Sequence, residues 1–154
     1  YPTHRLVFAG PDIGLLPNLK KTTVRANLED RVHFLGYIGG RDKARAYRMA
    51  EVVVIPSRME AMSIVVLEAG VCGTPVLATD RCGLDDLAAK GLVRISMATP
   101  RAVSESLHAL LMLPAEARAT STRLQRFVSE NYLWTTQALH HLRLFNGLRG
   151  HRLN

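Results

Sequence analysis

"VVVIPSRMEAMSIVVLEAGVCGTPVLAT" (residues 52–79) decides how this chain folds. It opens on a short β-branched run, "VVVIPS", continues through a helix-length apolar segment, "MSIVVLEAGVC" (62–72), and after a Gly-Thr-Pro turn enters a second short run, "PVLAT" (75–79). Short apolar runs bounded by turn residues read as strands buried on both faces, and that reading implies a parallel sheet. Parallel neighbours need a crossover, which the segment 62–72 supplies.

The same alternation extends in both directions. "RLVFAG" (5–10), "VHFLG" (32–36) and "LVRIS" (92–96) read as further strands, with helices expected at about 17–28, 41–50 and 62–72 and a weak turn at 84–89. This pattern predicts an α/β, Rossmann-like three-layer sandwich with a parallel sheet and right-handed crossovers. Ligands of such sheets sit beyond the carboxyl ends of the strands, so the loops after Gly10, Gly36, Ser57 and Thr79 are the first places to look. Beyond residue 100 the pattern is purely helical, over 101–113, 114–132 and 134–148, with Pro114 suited to a first helical turn. Without internal repeat, low-complexity tract or linker, residues 1–154 read as one domain.

At 154 residues and 47% hydrophobic, the chain can bury one sizeable core. Its formal charge of +7 favours an anionic partner: nucleic acid, a membrane surface or a phosphorylated small molecule. No apolar stretch approaches the roughly 18 residues that span a bilayer, and the N-terminus does not read as a signal peptide. The chain begins just before a strand-like run without an initiator Met, which suggests a fragment of a longer protein. Cys72 and Cys82 have no paired spacing elsewhere, so neither a disulfide framework nor a zinc site is expected and a reducing, cytoplasmic home is the default.

Two carboxylates frame the central apolar run. Glu68 falls within an apolar helix expected to be buried between neighbours, where an ionised carboxylate is costly unless it is hydrogen-bonded or faces a polar ligand. Adjacent hydroxyls, as on a ribose, would satisfy it. Glu60 falls at the start of that helix, where unpaired amides and the positive end of the dipole form an anion site. Eight helical residues rise about 12 Å, the scale of a nucleotide diphosphate-sugar. The spacing suggests ribose at Glu68, pyrophosphate at the amides of residues 61–64 and sugar at Glu60. Spacing alone leaves a structural alternative open, in which Glu60 caps the helix and Glu68 pairs with a buried Arg or Lys.

The context "AEVVVIPSRMEAMSIVVLEAGVCGTPVLATDRCGLDDL" (50–87) resembles the signature of retaining GT-B glycosyltransferases, the glycosyl transferases group 1 family of glycogen-synthase-like and mannosyltransferase-like enzymes. That signature runs A-D-V-x-V-x-P-S-x-x-E-G-F-G-x-x-x-L-E-A-M-A-C-G-x-P-V-x-A, then G-G-x-x-E. The likeness extends from Leu6 to about Phe145. It implies the C-terminal, donor-binding half of a GT-B fold, with an N-terminal acceptor domain and the first strand-helix unit of the donor domain lying outside this chain, and activity only in the full-length protein.

The resemblance implies transfer of a hexosyl group from a nucleotide diphosphate-sugar to an acceptor hydroxyl on a glycan or lipid-linked sugar, with retention at the anomeric carbon. Polysaccharide, lipopolysaccharide or glycolipid synthesis would be the setting. It requires no metal or other cofactor. By the same resemblance Glu60 contacts the transferred sugar, Glu68 the ribose, the segment Ala61, Met62, Ser63 and Ile64 the phosphates and sugar oxygens, and Tyr37, Ile38 and Gly39 the nucleobase. Arg58 is the local basic group for the leaving diphosphate, with a solvated loop arginine as its other reading.

Three departures from the signature stand out. Ala61 replaces a glycine, Met62-Ser63 replaces Phe-Gly, and Cys82-Gly83 replaces the double glycine, with Asp86 at the later acidic position. They motivate the alternative of a non-catalytic nucleotide-sugar-binding or assembly module. Nucleic acid is not expected, because the basic residues lack the aromatic interleaving of a stacking platform. The basic segment 41–48 reads as a solvated face, with peripheral attraction to the inner face of a membrane as its other reading. Cys72 reads as core. Adjacent His140 and His141 point to different helical faces and make a poor metal pair, even with His151; His33 reads as structural, and His4 and His108 carry no motif.

Overall fold

A computed structural model describes residues 1 and 3–150, the last two by backbone alone; His151 lies outside the described residues. The chain falls into two compact units, Tyr1–Lys43 and Ala44–Asn154.

In the first unit β1 (Leu6–Ala9), α1 (Leu16–Arg25) and β2 (Val32–Gly36) form a β-α-β unit. The strands pair in parallel, Leu6 opposite Val32 and Phe8 opposite Phe34, with an irregularity between Phe8 and Ala9. The rings of Phe8 and Phe34 stack at 5.2 Å. The Asp12 carboxylate accepts from the amides of Gly14 (2.8 Å) and Leu16 (3.1 Å), which fixes the turn into α1. Those bonds, led by that from Leu16, hold its carboxyl below the ordinary value. The helix ends before residue 28 because Asn27 adopts a left-handed φ of 51°, with its N–H on the Val24 carbonyl (3.0 Å) and the Leu28 N–H on the Thr23 carbonyl (3.1 Å).

The second unit holds β3 (Val53–Ile55), α3 (Ile64–Val71), β4 (Val76–Thr79), α4 (Asp85–Ala89), β5 (Arg94–Ser96), α5 (Pro100–Met112), α6 (Pro114–Asn131) and α7 (Trp134–Gly150), while α2 (Gly40–Met49) carries the chain across the boundary. Its strands lie in the order β3-β4-β5, all parallel. β4, "VLAT", is buried at every position, as a central parallel strand should be. Around it Ile55, Val66, Ala69, Leu87, Leu124 and Val128 form the core.

Two burial expectations are corrected. β1 is exposed along its length, with Leu6 and Val7 about half exposed (51% and 49%), and β2 has no buried residue and ends exposed at Leu35 and Gly36, so neither is a strand buried on both faces in this chain. Likewise α3 is not buried all round. Val66, Ala69 and Gly70 form a stripe at helical spacing that enters the core, whereas Ile64 lies in the first turn outside that stripe and is 67% exposed. Glu68 is consequently half-buried, rather than deep in an apolar interior.

The stripe meets α6 closely. A Cβ at Gly70 would lie 2.9 Å from Leu124 Cγ and 3.3 Å from Val128 Cγ2. Leu124 is itself fully buried and has little room to withdraw. Gly70→Ala is therefore expected to destabilise the second unit by about 1–3 kcal/mol through overpacking. A denaturant melt checks this, and unchanged stability would show that α6 can retreat from α3.

Candidate functional site

Parallel pairing of β3 with β4 places the loops after Ile55 and Thr79 side by side at the carboxyl end of the sheet. Residues 56–63 form the first loop, and the second, from Asp80 to Leu84, holds it from beneath. Glu60 N–H donates to the Arg81 carbonyl (2.8 Å) and Ser63 N–H to the Cys82 carbonyl (3.1 Å). Thr79 Oγ1 donates to the Ser57 carbonyl at 2.5 Å. Between these bonds Gly83, at φ 61°, approaches the Ala61 carbonyl so closely that a Cβ would sit 1.9 Å from its oxygen. Only glycine satisfies both demands.

The clamp fixes Glu60, whose carboxylate accepts from the Ser57 hydroxyl. It also fixes the start of α3, whose N-cap is Ser63 in an extended conformation (φ −81°, ψ 106°). Ser63 makes no side-chain capping bond, and its buried Oγ has no hydrogen-bond partner among the described residues. The first-turn amides of any α-helix lack intrahelical acceptors and carry the positive end of the dipole. In α3 they begin at Ile64, because the N–H of the N-cap Ser63 is spent on the Cys82 carbonyl, which corrects the expectation that the Ser63 amide meets a phosphate. The end of the helix that favours an anion thus lies between the two glutamates in sequence.

Glu68 lies one turn past the start of α3 and accepts a hydrogen bond from Tyr47 Oη at 2.9 Å. Burial, followed by the bond to Glu68 and its charge, holds the Tyr47 phenol above its ordinary value, so it stays a donor throughout the neutral range. The Tyr47 carbonyl accepts from the buried Thr74 Oγ1 at 2.7 Å, which ties α2 to the turn between α3 and β4. Tyr47 was not singled out from sequence, and Ser57 and Thr79 were marked only as the points where site loops begin. Tyr47 lies 21 positions from Glu68 on another helix, and nothing in "RAYRMA" (45–50) marks a carboxylate partner.

The structure gathers Arg58, Glu60, Ala61, Met62, Ser63, Ile64 and Glu68 on one loop-helix segment of the second unit. Arg58 is exposed. Tyr37, Ile38 and Gly39 belong to the first unit, on the loop between β2 and α2. There the Tyr37 ring folds over Gly39, where a Cβ would lie 3.0 Å from the hydroxyl oxygen. Beside the clamp an open cleft of about 240 Å³ has Met62, Gly83, Asp85, Asp86 and Tyr132 in its walls, so Asp86 faces space next to the helix start. Cys82 fills the core, with Sγ 3.7 Å from the Ile55 carbonyl oxygen. Cys72 is half-buried, its Sγ 3.9 Å from the Ala44 carbonyl oxygen. Among the described residues no cluster of His, Cys, Asp and Glu is arranged to hold a metal, and no helix is long and apolar enough to cross a membrane.

Parallel strands joined by helices, with two glutamates set about a helix start beyond the strands, define an α/β domain whose candidate site lies at the carboxyl edge of its sheet. The family described as "Glycosyl transferases group 1" matches residues 1–126, and the chain belongs to it. It is 34% identical over 127 residues to a D-inositol 3-phosphate glycosyltransferase of Saccharomonospora viridis, covering 79% of this chain and 29% of that protein. Among solved structures it superposes on sucrose-phosphate synthase from Thermosynechococcus elongatus with a TM-score of 0.82 at 27% identity, over 95% of this chain and 39% of that one. Anabaena HepE, solved in complex with UDP, gives a TM-score of 0.85 at 19% identity, over 96% of this chain and 42% of that one. The fold is that of GT-B glycosyltransferases, and the chain spans well under half the length of these proteins.

The clamp makes a direct prediction. Gly83→Ala must move either the Ala61 carbonyl or the Gly83 backbone, and strained positive φ alone costs on the order of 1 kcal/mol for a residue with a side chain. The expected result is a displaced 56–63 loop, read as amide shift changes at residues 60–63 in an NMR spectrum, with β4 and β5 unmoved. Unperturbed amides at those positions would contradict the clamp.

Proposed function

We propose that this chain is the donor-binding part of a retaining glycosyltransferase that moves a hexosyl group from a nucleotide diphosphate-sugar to an acceptor hydroxyl in polysaccharide, lipopolysaccharide or glycolipid synthesis. The observation that carries the reading is the pair Glu60 and Glu68 set about the start of α3, with the loop between them held by Gly83. On this reading the ribose diol donates to Glu68, the diphosphate lies at the amides of Ala61, Met62 and Ile64, the Ser63 N–H being held by the Cys82 carbonyl, and the sugar hydroxyls reach Glu60. Tyr37, Ile38 and Gly39 serve the base.

The helix-terminal amides and Arg58 stabilise charge as the nucleotide diphosphate leaves, an electrostatic contribution that needs no metal. Glu60 orients the sugar and is not assigned as a general base. The acceptor enters through a further domain of the whole protein. A cytoplasmic setting, with the basic residues of α2 meeting an anionic membrane surface, completes the proposal. The replacement Ala61-Met62-Ser63 favours one other reading, a module that binds nucleotide-sugar without transferring it. Product formation by the intact protein separates the two, and the anomeric configuration of that product tests retention.

Calorimetric titration of the intact protein with UDP, GDP and ADP, their glucose conjugates and a short DNA duplex at matched salt tests the binding claim. One nucleotide series should bind, and the duplex should not. Glu68→Ala should weaken nucleotide binding about 10–100-fold, the worth of hydrogen bonds to a charged acceptor. Glu60→Ala should leave nucleotide affinity in place and remove discrimination between nucleotide and conjugate. Unchanged binding in both folded variants would defeat the assignment, and a Glu68→Ala protein that does not fold would favour a structural ion pair instead.

A further inference from the structure

Tyr47 touches a proposed ligand group, Glu68, from another helix and has no part in the proposed chemistry. Its ring packs against the core of the second unit, and its hydroxyl ends at Glu68 Oε2. Its backbone is held as firmly, because the carbonyl accepts from both Thr74 Oγ1 (2.7 Å) and Ala50 N–H (3.1 Å). Thr74 is 3% exposed, so this tie is anchored in the interior.

A glutamate has three side-chain torsions, and a half-buried one on a helix surface reaches several orientations unless a partner selects among them. A carboxylate offers about four lone-pair sites, and a vicinal diol needs two in a fixed direction. We propose that Tyr47 is a positioning residue for ribose recognition: its hydroxyl sets the Glu68 carboxylate in the orientation that accepts from the ribose diol, and so sets the discrimination between ribonucleotide and 2′-deoxyribonucleotide donors. The inference rests on the ribose role of Glu68 proposed above. Tyr47 supplies direction through a rigid two-torsion side chain. A phenylalanine in its place keeps the packing and removes only the bond.

The test uses the intact protein and three matched pairs of probes, UDP with dUDP, GDP with dGDP and ADP with dADP, titrated by calorimetry against wild type, Tyr47→Phe and Glu68→Ala. Wild type should prefer the ribo form of the pair it binds. Tyr47→Phe should lower that preference about three- to tenfold by weakening the ribo form alone, the scale of one hydrogen bond. Binding of the deoxy form, within twofold of wild type, shows that the site is otherwise intact. Equal losses for both forms would make Tyr47 a packing residue and overturn the inference, as would a preference unchanged in Tyr47→Phe but abolished in Glu68→Ala. A preference unchanged in Glu68→Ala, or no binding of any pair, would instead remove the ribose role of Glu68 itself.

Discussion

Among the described glycines the tightest approach is that of Gly83 to the Ala61 carbonyl. Two neighbouring parallel strands end at the same edge of their sheet, and the loops that leave them compete for the same space. Here the second loop gives way by having no side chain at its point of contact and by taking a backbone conformation that other residues resist. The hydrogen bonds from Glu60 and Ser63 to the Arg81 and Cys82 carbonyls fall on either side of that contact. What the sheet's carboxyl edge presents, from Glu60 to the first turn of α3, is a consequence of how these loops share the edge.

Asp80 extends the same logic to the next strand. Its amide donates to the Ser96 carbonyl at 2.8 Å, and its carboxylate accepts from Ala98 N–H at 3.0 Å, linking the loop after β4 to the loop after β5. Beneath them the fully buried β4 and the packing of α3 on α6 through Gly70 fix the height of α3 relative to the strands. Backbone polar groups at the edge are thereby satisfied mainly by other backbone groups.

Sequence made the β3-α3-β4 unit legible because its strands are β-branched runs punctuated by proline and glycine, and because no alternating pattern competed. The order of the other elements followed from the same signal. Helix ends were less legible: α1 stops early where Asn27 turns left-handed, which side-chain periodicity does not record. The exposure of β1 and of Ile64 was not legible either, since an apolar residue announces a preference for burial and not what covers it. At the site, the glutamates were visible as charges in an apolar run. Their pairings with Ser57 and Tyr47 were not, because a serine and a tyrosine are ordinary residues whose roles here come from tertiary proximity. The departure at Cys82 became interpretable only with its side chain seen in the core, where the usual glycine would leave a space.

The two ends of the segment from Glu60 to Glu68 are supported by different kinds of matter. Glu68 precedes Ala69 and Gly70, which are wedged against the sheet and α6, so its backbone moves only if the core moves. Glu60 stands on a loop whose restraints are a few hydrogen bonds and one glycine contact. A site built this way has a hard end and a soft end: substitutions can remodel what is recognised beside Glu60 while the fold, and whatever Glu68 holds, stay as they are.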